Sequence, residues 1–231
     1  MTEMIEVEDG FTEGLARRGS IFCLLFGVGG VISSICYLLL DKSSRYLLLP
    51  ENFYSIESIN AYLSHPIIFT TFWCVNAINA LLIIGIVVAY YSLVRHRNRV
   101  LVGWLSVMAI IGLAFLALSN IHAMMYFPQF VDVYQNGNEI TKEGLLLFRQ
   151  GFHFDYGIFS YGLPSFWFMV ASIMALDNRL IPKGLVMVGV LIGASLLGVS
   201  FGAIFDLPLV LKVSKVLVMI SFPIWGLWEF I

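Results

Sequence analysis

Four histidines, fifteen acidic residues and three cysteines are the side chains of this 231-residue sequence best equipped for chemistry. His65, His122 and His153, with Asp155 and Asp206, fall at the edges of apolar runs and therefore at one depth, if the runs alternate in direction. Imidazole with carboxylate is a donor set of zinc, copper and non-haem iron, so these five residues are candidate metal ligands. Haem is a second candidate cofactor, with His65, His122 or His153 as axial ligand. His96 lies among arginines in another turn and cannot pair with His122 in one plane.

A local role competes with chemistry at each position. His65 precedes Pro66 and reads as the boundary residue of a helix started by proline. Asp206 precedes Leu207-Pro208 and reads as an N-cap, and Asp155 suits the dipole of a first helical turn. His122 reads equally as a core histidine hydrogen-bonded to a neighbouring helix. Cys23, Cys36 and Cys74 match no zinc or haem-attachment spacing and read as buried thiols. There is no nucleophile motif, phosphate-binding loop or HExxH. Three amides form a second group: Asn76 and Asn79, three residues apart on one helical face, and Asn120, all inside apolar runs. Amides at such depth either bond neighbouring helices or line a polar path.

The elements that must position these residues follow from composition. The sequence is 59% apolar and 12% charged, about half the charge of a soluble domain. Six apolar runs, at 20–40, 66–92, 100–126, 156–176, 182–204 and 208–231, are long enough to cross a bilayer and lack the short alternation of a barrel. The predicted fold is therefore all-α: a polytopic bundle of six transmembrane helices at 20–231, preceded by an acidic segment at 1–19. Glu3, Glu6, Glu8, Asp9 and Glu13 make that segment unlike a signal peptide, so the first span reads as a retained anchor.

Arg17 and Arg18, then Arg95, Arg97 and Arg99, then Arg179 and Lys183 border alternate ends of the spans. The positive-inside rule puts both termini in the cytoplasm and leaves external loops at 41–65 and 127–155. These loops contain apolar stretches, Tyr46 to Pro50, Phe53 to Ile56 and Leu145 to Phe148, suited to a membrane surface or the mouth of the bundle. The remaining Lys and Arg are assigned to short loops. A net charge of −2 gives no footprint for nucleic acid.

Gly189/Gly193 and Gly198/Gly202 give the fifth span a small-residue face, matched by Gly27, Gly29 and Gly30 in the first. Ahead of that fifth span stand Gly162-Leu163-Pro164, Phe166-Trp167-Phe168, Asn178-Arg179 and Ile181-Pro182-Lys183-Gly184-Leu185. Over its last two thirds the chain resembles small bacterial six-helix membrane proteins of the domain-of-unknown-function 4386 type. The resemblance implies a bacterial cytoplasmic membrane, and it implies no chemistry.

The expected function is that of a non-catalytic integral protein, an accessory or small-molecule-binding subunit of a larger membrane complex, with lipid and other subunits or its own copies as partners. The alternative is a membrane enzyme acting on a lipid or apolar substrate through the external His/Asp group, and a small transporter is the third reading. If the His/Asp group is a metal shell, elemental analysis of purified protein should find near-stoichiometric metal, lost on removing His122 or Asp206 with helicity unchanged. Metal below about a tenth of stoichiometry eliminates that reading.

Overall fold

The computed structural model describes residues 2–40, 44, 56–95, 98–144, 157–176 and 181–230, and among them every regular element is helical. His96, His153, Asp155, Arg179 and the apolar loop stretches at 46–55 and 145–148 lie outside the described residues. The main helices are α1 (Thr2–Leu39), α2 (Ile56–Ser64), α3 (Pro66–Val94), α4 (Arg99–Asn136), α5 (Leu163–Met174), α6 (Lys183–Ile204) and α7 (Pro208–Phe230). A π-helical turn, Ile158–Gly162, leads into α5.

Five stretches are long and apolar enough to cross a membrane: Gly19–Leu39 of α1, all of α3, α4 and α6, and Pro208–Leu227 of α7. Ile158–Met174 is a shorter apolar helix. Leu25, Ile35, Ile78, Leu118, Met187 and Leu209 are exposed on the outside of the bundle. Such a surface is stable only in hydrocarbon, and this is an integral membrane protein.

Several boundaries differ from the sequence expectation. Helix α1 runs unbroken across position 19, and the 41–65 loop contains α2. The third span does not end at 126: α4 continues through Pro128 to Asn136, so the first ten residues assigned to the second loop are helical. Phe127 and Val131 explain the extension, because both are buried with Phe69, Phe72 and Trp73 of α3 in one apolar cluster. The fourth span is shortened because Gly157, at φ 82°, starts it with a left-handed turn that a side chain rarely adopts. Its 17 residues rise about 25 Å, short of the roughly 30 Å hydrocarbon core.

The helices form a closed ring in sequence order, α1–α3–α4–α5–α6–α7, with α7 packing back on α1. Named contacts give each pair its direction. Gly19 meets Ala89 and Gly29 meets Asn79, so α1 and α3 are antiparallel. Phe127 packs on Trp73 while Tyr91 approaches Gly103, which makes α3 and α4 antiparallel. Ser106 with Trp167, and Gly112 with Pro164, do the same for α4 and α5. Gly189 meets Ser172 and Gly193 meets Ser165, while Gly198 meets Ser214 and Gly202 meets Leu211. The glycine face of α6 is thus used inside the chain, one half against α5 and the other against α7. Gly30 meets Pro223 and Gly27 meets Leu227, closing the ring with α7 antiparallel to α1.

Two apolar clusters fill the ring. Towards the Val94 end of α3, residues of α1, α3, α4, α5, α6 and α7 pack as one core that includes Phe26, Ile83, Trp167, Phe168 and Trp225. Towards the Pro66 end, α1, α2, α3 and α4 form the second cluster, where Tyr62 of α2 stacks on Trp73 at 6.1 Å.

Gly193 and Gly103 should respond oppositely to alanine. A Cβ on Gly193 would lie 2.7 Å from the Ser165 carbonyl oxygen and 2.8 Å from the Met169 nitrogen, backbone atoms that cannot move aside. Gly193→Ala should cost about 1–3 kcal/mol in thermal unfolding in detergent. Gly103 has only Tyr91 Cε2 at 3.9 Å, so Gly103→Ala should stabilise α4 by about 0.5–1 kcal/mol. Equal effects of the two substitutions would contradict the packing.

Candidate functional site

Between the two clusters lies a cavity of about 110 Å³ lined from every member of the ring, α5 contributing through Tyr161 of its π-helical turn. Comparable cavities elsewhere hold a ligand of several heavy atoms. Its walls bring together Asn76, Asn79 and Asn120, the three amides placed at depth by the sequence, with Ser33, Ser34, Tyr161 and Lys215. Phe26, Ile83 and Phe222 line it on the side of the Val94 end. Phe26 meets Phe222 at 5.2 Å and Trp225 at 6.4 Å, and Phe168 meets the same two rings at 5.6 and 5.4 Å. These four rings form an aromatic floor.

The amides differ in what they offer. Asn76 Nδ2 donates to the Phe72 carbonyl at 2.9 Å and Asn120 Nδ2 to the Leu116 carbonyl at 2.8 Å, each one turn back on its own helix. Asn76 Oδ1 accepts from Ser33 Oγ at 3.4 Å. Asn79 is the exception: it is only 7% exposed, and its buried Oδ1 has no hydrogen-bond partner. That oxygen rests against Gly29, where a Cβ would fall on top of it. The orientation is the favourable one, because a carbonyl oxygen attracts the Cα–H of glycine whereas an NH₂ would face it hydrogen to hydrogen. Asn79 thus lines the cavity with a side-chain amide whose oxygen is left unsatisfied.

Lys212 and Lys215 both lie within α7, inside the apolar run at 208–231. Lys212 is exposed, whereas Lys215 is half-buried on the cavity wall. The signal that marks Lys215 was present: an ionisable residue seven positions inside an apolar run is a functional candidate by default. Ser33, Ser34 and Tyr161 carried no comparable signal, since hydroxyls are ordinary in membrane helices.

The His/Asp group fares differently. His65 is the residue before α3, and its carbonyl accepts from the Phe69 nitrogen at 3.3 Å, as a boundary residue ahead of Pro66 should. Asp206 is exposed at φ 50°, and the Leu207 nitrogen donates to the Gly202 carbonyl at 2.9 Å. It therefore finishes α6 in a left-handed turn and does not N-cap α7. His122 lies inside α4, its ring 4.6 Å from that of Tyr126. Because Phe127 packs on Trp73, His122 sits roughly 20 Å deeper than His65, and the expected common depth does not hold for it. Among the described residues no three of His, Cys, Asp and Glu group as a metal site. His153 and Asp155 lie outside those residues.

A coupling test isolates the Asn79 contact. Gly29→Ala should cost about 1–3 kcal/mol by displacing Asn79, and much of that cost should vanish in an Asn79→Ala background, giving an interaction energy of at least ~1 kcal/mol. Additive effects in thermal unfolding would mean that the two residues are not in contact.

A family model described as a domain of unknown function, DUF4386, matches residues 24–231. Neither a curated protein nor a solved structure matches the chain. The match takes in α1 from Leu24 onward and every later helix, so it covers all the elements that build the cavity. The chain belongs to the DUF4386 family.

Proposed function

We propose that this is a six-crossing membrane protein that binds a small molecule in the cavity of its ring, without catalysing a reaction on it. The observation that carries the reading is Asn79. An amide with no hydrogen bond, nine-tenths buried on the wall of a cavity, is costly unless something occupies that cavity. The six-crossing count is supported by the ring itself. A closed ring whose neighbours are all antiparallel needs an even number of members, and the α5 stretch is the sixth.

Arg95 and Lys183 at the Val94 end favour a cytoplasmic position for that end and for both termini, as the positive-inside rule would have it in a bacterial cytoplasmic membrane. The cavity then belongs to the outer half of the bundle, above its aromatic floor. A floor of packed rings favours a binding pocket over an open channel.

The test is a thermal-shift series in lipid nanodiscs with five solutes of similar size: methoxyacetate, butyrate, butyramide, pentan-1-ol and pentylammonium. At a hundred times its Kd a bound solute should add about 2.7 kcal/mol, raising Tm by roughly 5–10 °C. Ala80→Phe, which fills the cavity from a wholly buried wall position, should abolish the shift. The absence of a shift with all five solutes would overturn the binding reading.

A further inference from the structure

Most of the polar cavity wall lies where α1, α3 and α7 meet, and its hydrogens are largely spent inside the protein. Ser33 Oγ donates to Asn76 Oδ1 at 3.4 Å and Ser34 Oγ to the Gly30 carbonyl at 2.9 Å. Asn76 and Asn120 each give an N–H to a carbonyl one turn back on their own helix. Oxygens are left over. Asn79 Oδ1 is buried with no partner, and Asn76 Oδ1 has the long bond from Ser33. The Met219 carbonyl, deprived of a helical N–H by Pro223, has Ser34 Oγ at 3.4 Å. Lys215 and Tyr161, on the same wall, are already engaged within the protein.

Each feature restricts what fits. An anion brings acceptors alone and would face these oxygens with no hydrogen between them. A cation would stand near Lys215 with no carboxylate on the wall, among the described residues, to offset it. An uncharged donor meets neither obstacle. Two of the oxygens also set the spacing of its hydrogens. Asn76 and Asn79, three apart on α3, have Cβ atoms about 5–6 Å apart, and both oxygens lie on the α1 side, one bonded to Ser33 and the other against Gly29. The two hydrogens of one NH₂ group diverge to reach acceptors about 5 Å apart. Part of a turn about the terminal torsion, which is broad for an amide, brings the Asn79 oxygen to the cavity. A cavity of about 110 Å³ limits the whole molecule to a handful of heavy atoms.

We propose that the cavity takes a short-chain primary carboxamide, with its two N–H hydrogens on the Asn76 and Asn79 oxygens and its alkyl end against Phe26, Ile83 and Phe222. This rests on the small-molecule reading given above and adds the chemical class of the ligand. An uncharged NH₂ at neutral pH belongs to an amide, because an alkylamine is protonated there and would bring a positive charge. One NH₂ then meets two oxygens that the protein leaves short of hydrogens, at a depth where an unmet acceptor is costly. The ligand's carbonyl can take the second N–H of Asn120, whose first goes to Leu116.

Titration calorimetry of the full chain in nanodiscs, corrected for empty nanodiscs, tests the assignment with three probes of one skeleton. Butyramide carries the NH₂, pentan-2-one replaces it by a methyl group, and butyrate replaces it by a charged oxygen. Wild type should bind butyramide at least about tenfold more tightly than either of the others. Asn76→Leu and Asn79→Leu, which preserve the side-chain shape, should each cut the preference over pentan-2-one to about threefold or less. Continued binding of pentan-2-one shows that the cavity of each variant is intact. Lys215→Met should leave the preference as it is. Pentan-2-one or butyrate binding the wild type as tightly as butyramide would overturn the proposal while small-molecule binding stood. So would a preference undiminished in either leucine variant or lost in Lys215→Met. If none of the three probes binds, the carboxamide falls, and the small-molecule reading falls with it when methoxyacetate, pentan-1-ol and pentylammonium also give no shift.

Discussion

The seam between α1 and α7 is where the ring closes, and it is built around an unmade backbone hydrogen bond. Pro223 has no N–H, so the Met219 carbonyl one turn earlier lacks its helical partner. In hydrocarbon no water can replace it. Ser34 Oγ lies 3.4 Å from that carbonyl oxygen while also donating to the Gly30 carbonyl at 2.9 Å. Gly30 makes room for the proline ring, and Gly226 lies against Gly27 one turn further on. A defect in one helix is thus met by a hydroxyl from another, and only two glycine-lined surfaces can come close enough for that. Without this contact α7 has no reason to return to α1, and the cavity would be an open cleft between lipid and protein.

Closure also explains how polar groups persist at this depth. Lipid tails are as apolar as leucine, so helices in a bilayer gain little by hiding apolar surface from it. Close packing through Gly19, Gly85, Gly112, Gly193 and Gly202 supplies the attraction instead. Amides and a lysine on the inner wall are tolerated because the ring keeps them from the hydrocarbon. Among the described residues the cost falls on Asn79, whose oxygen is matched only by the Cα–H of Gly29, and on Ser195, whose buried hydroxyl also lacks a partner.

Much of this was legible in the sequence, for an identifiable reason. The bilayer makes every deep polar residue expensive, so Asn76, Asn79 and Asn120 stood out without any knowledge of the fold. Their convergence did not, because it depends on the ring order and on how each helix is rotated about its axis. The apolar runs located the helices, and their ends were less secure. The apolar run ends at 126, yet burial of Phe127 and Val131 carries α4 through Pro128 and two turns beyond it. That extension is what moves His122 away from His65. His65 and Asp206 resembled ligands because the residue types that bind metals also serve at helix boundaries, and the structure gives both residues backbone roles. Lys215 was overlooked because its neighbours Leu211, Val213 and Val216 make the segment read as an ordinary span.

The aromatic floor limits how the cavity can open. Phe26, Phe168, Phe222 and Trp225 come from α1, α5 and α7, and their mutual edge-to-face and tilted contacts leave the cavity closed towards the Val94 end. Releasing a ligand in that direction would require α7 to move relative to α1 and α5, breaking the seam at Gly30 and Pro223 at the same time as the ring contacts. The seam and the floor share residues 222–226 of α7, so they form one mechanical unit. Occupancy of the cavity, which touches Phe222 and Pro223 directly, can therefore act on that unit only as a whole. Contact with Phe222 and Pro223 together ties the wall of the cavity to the closure of the ring.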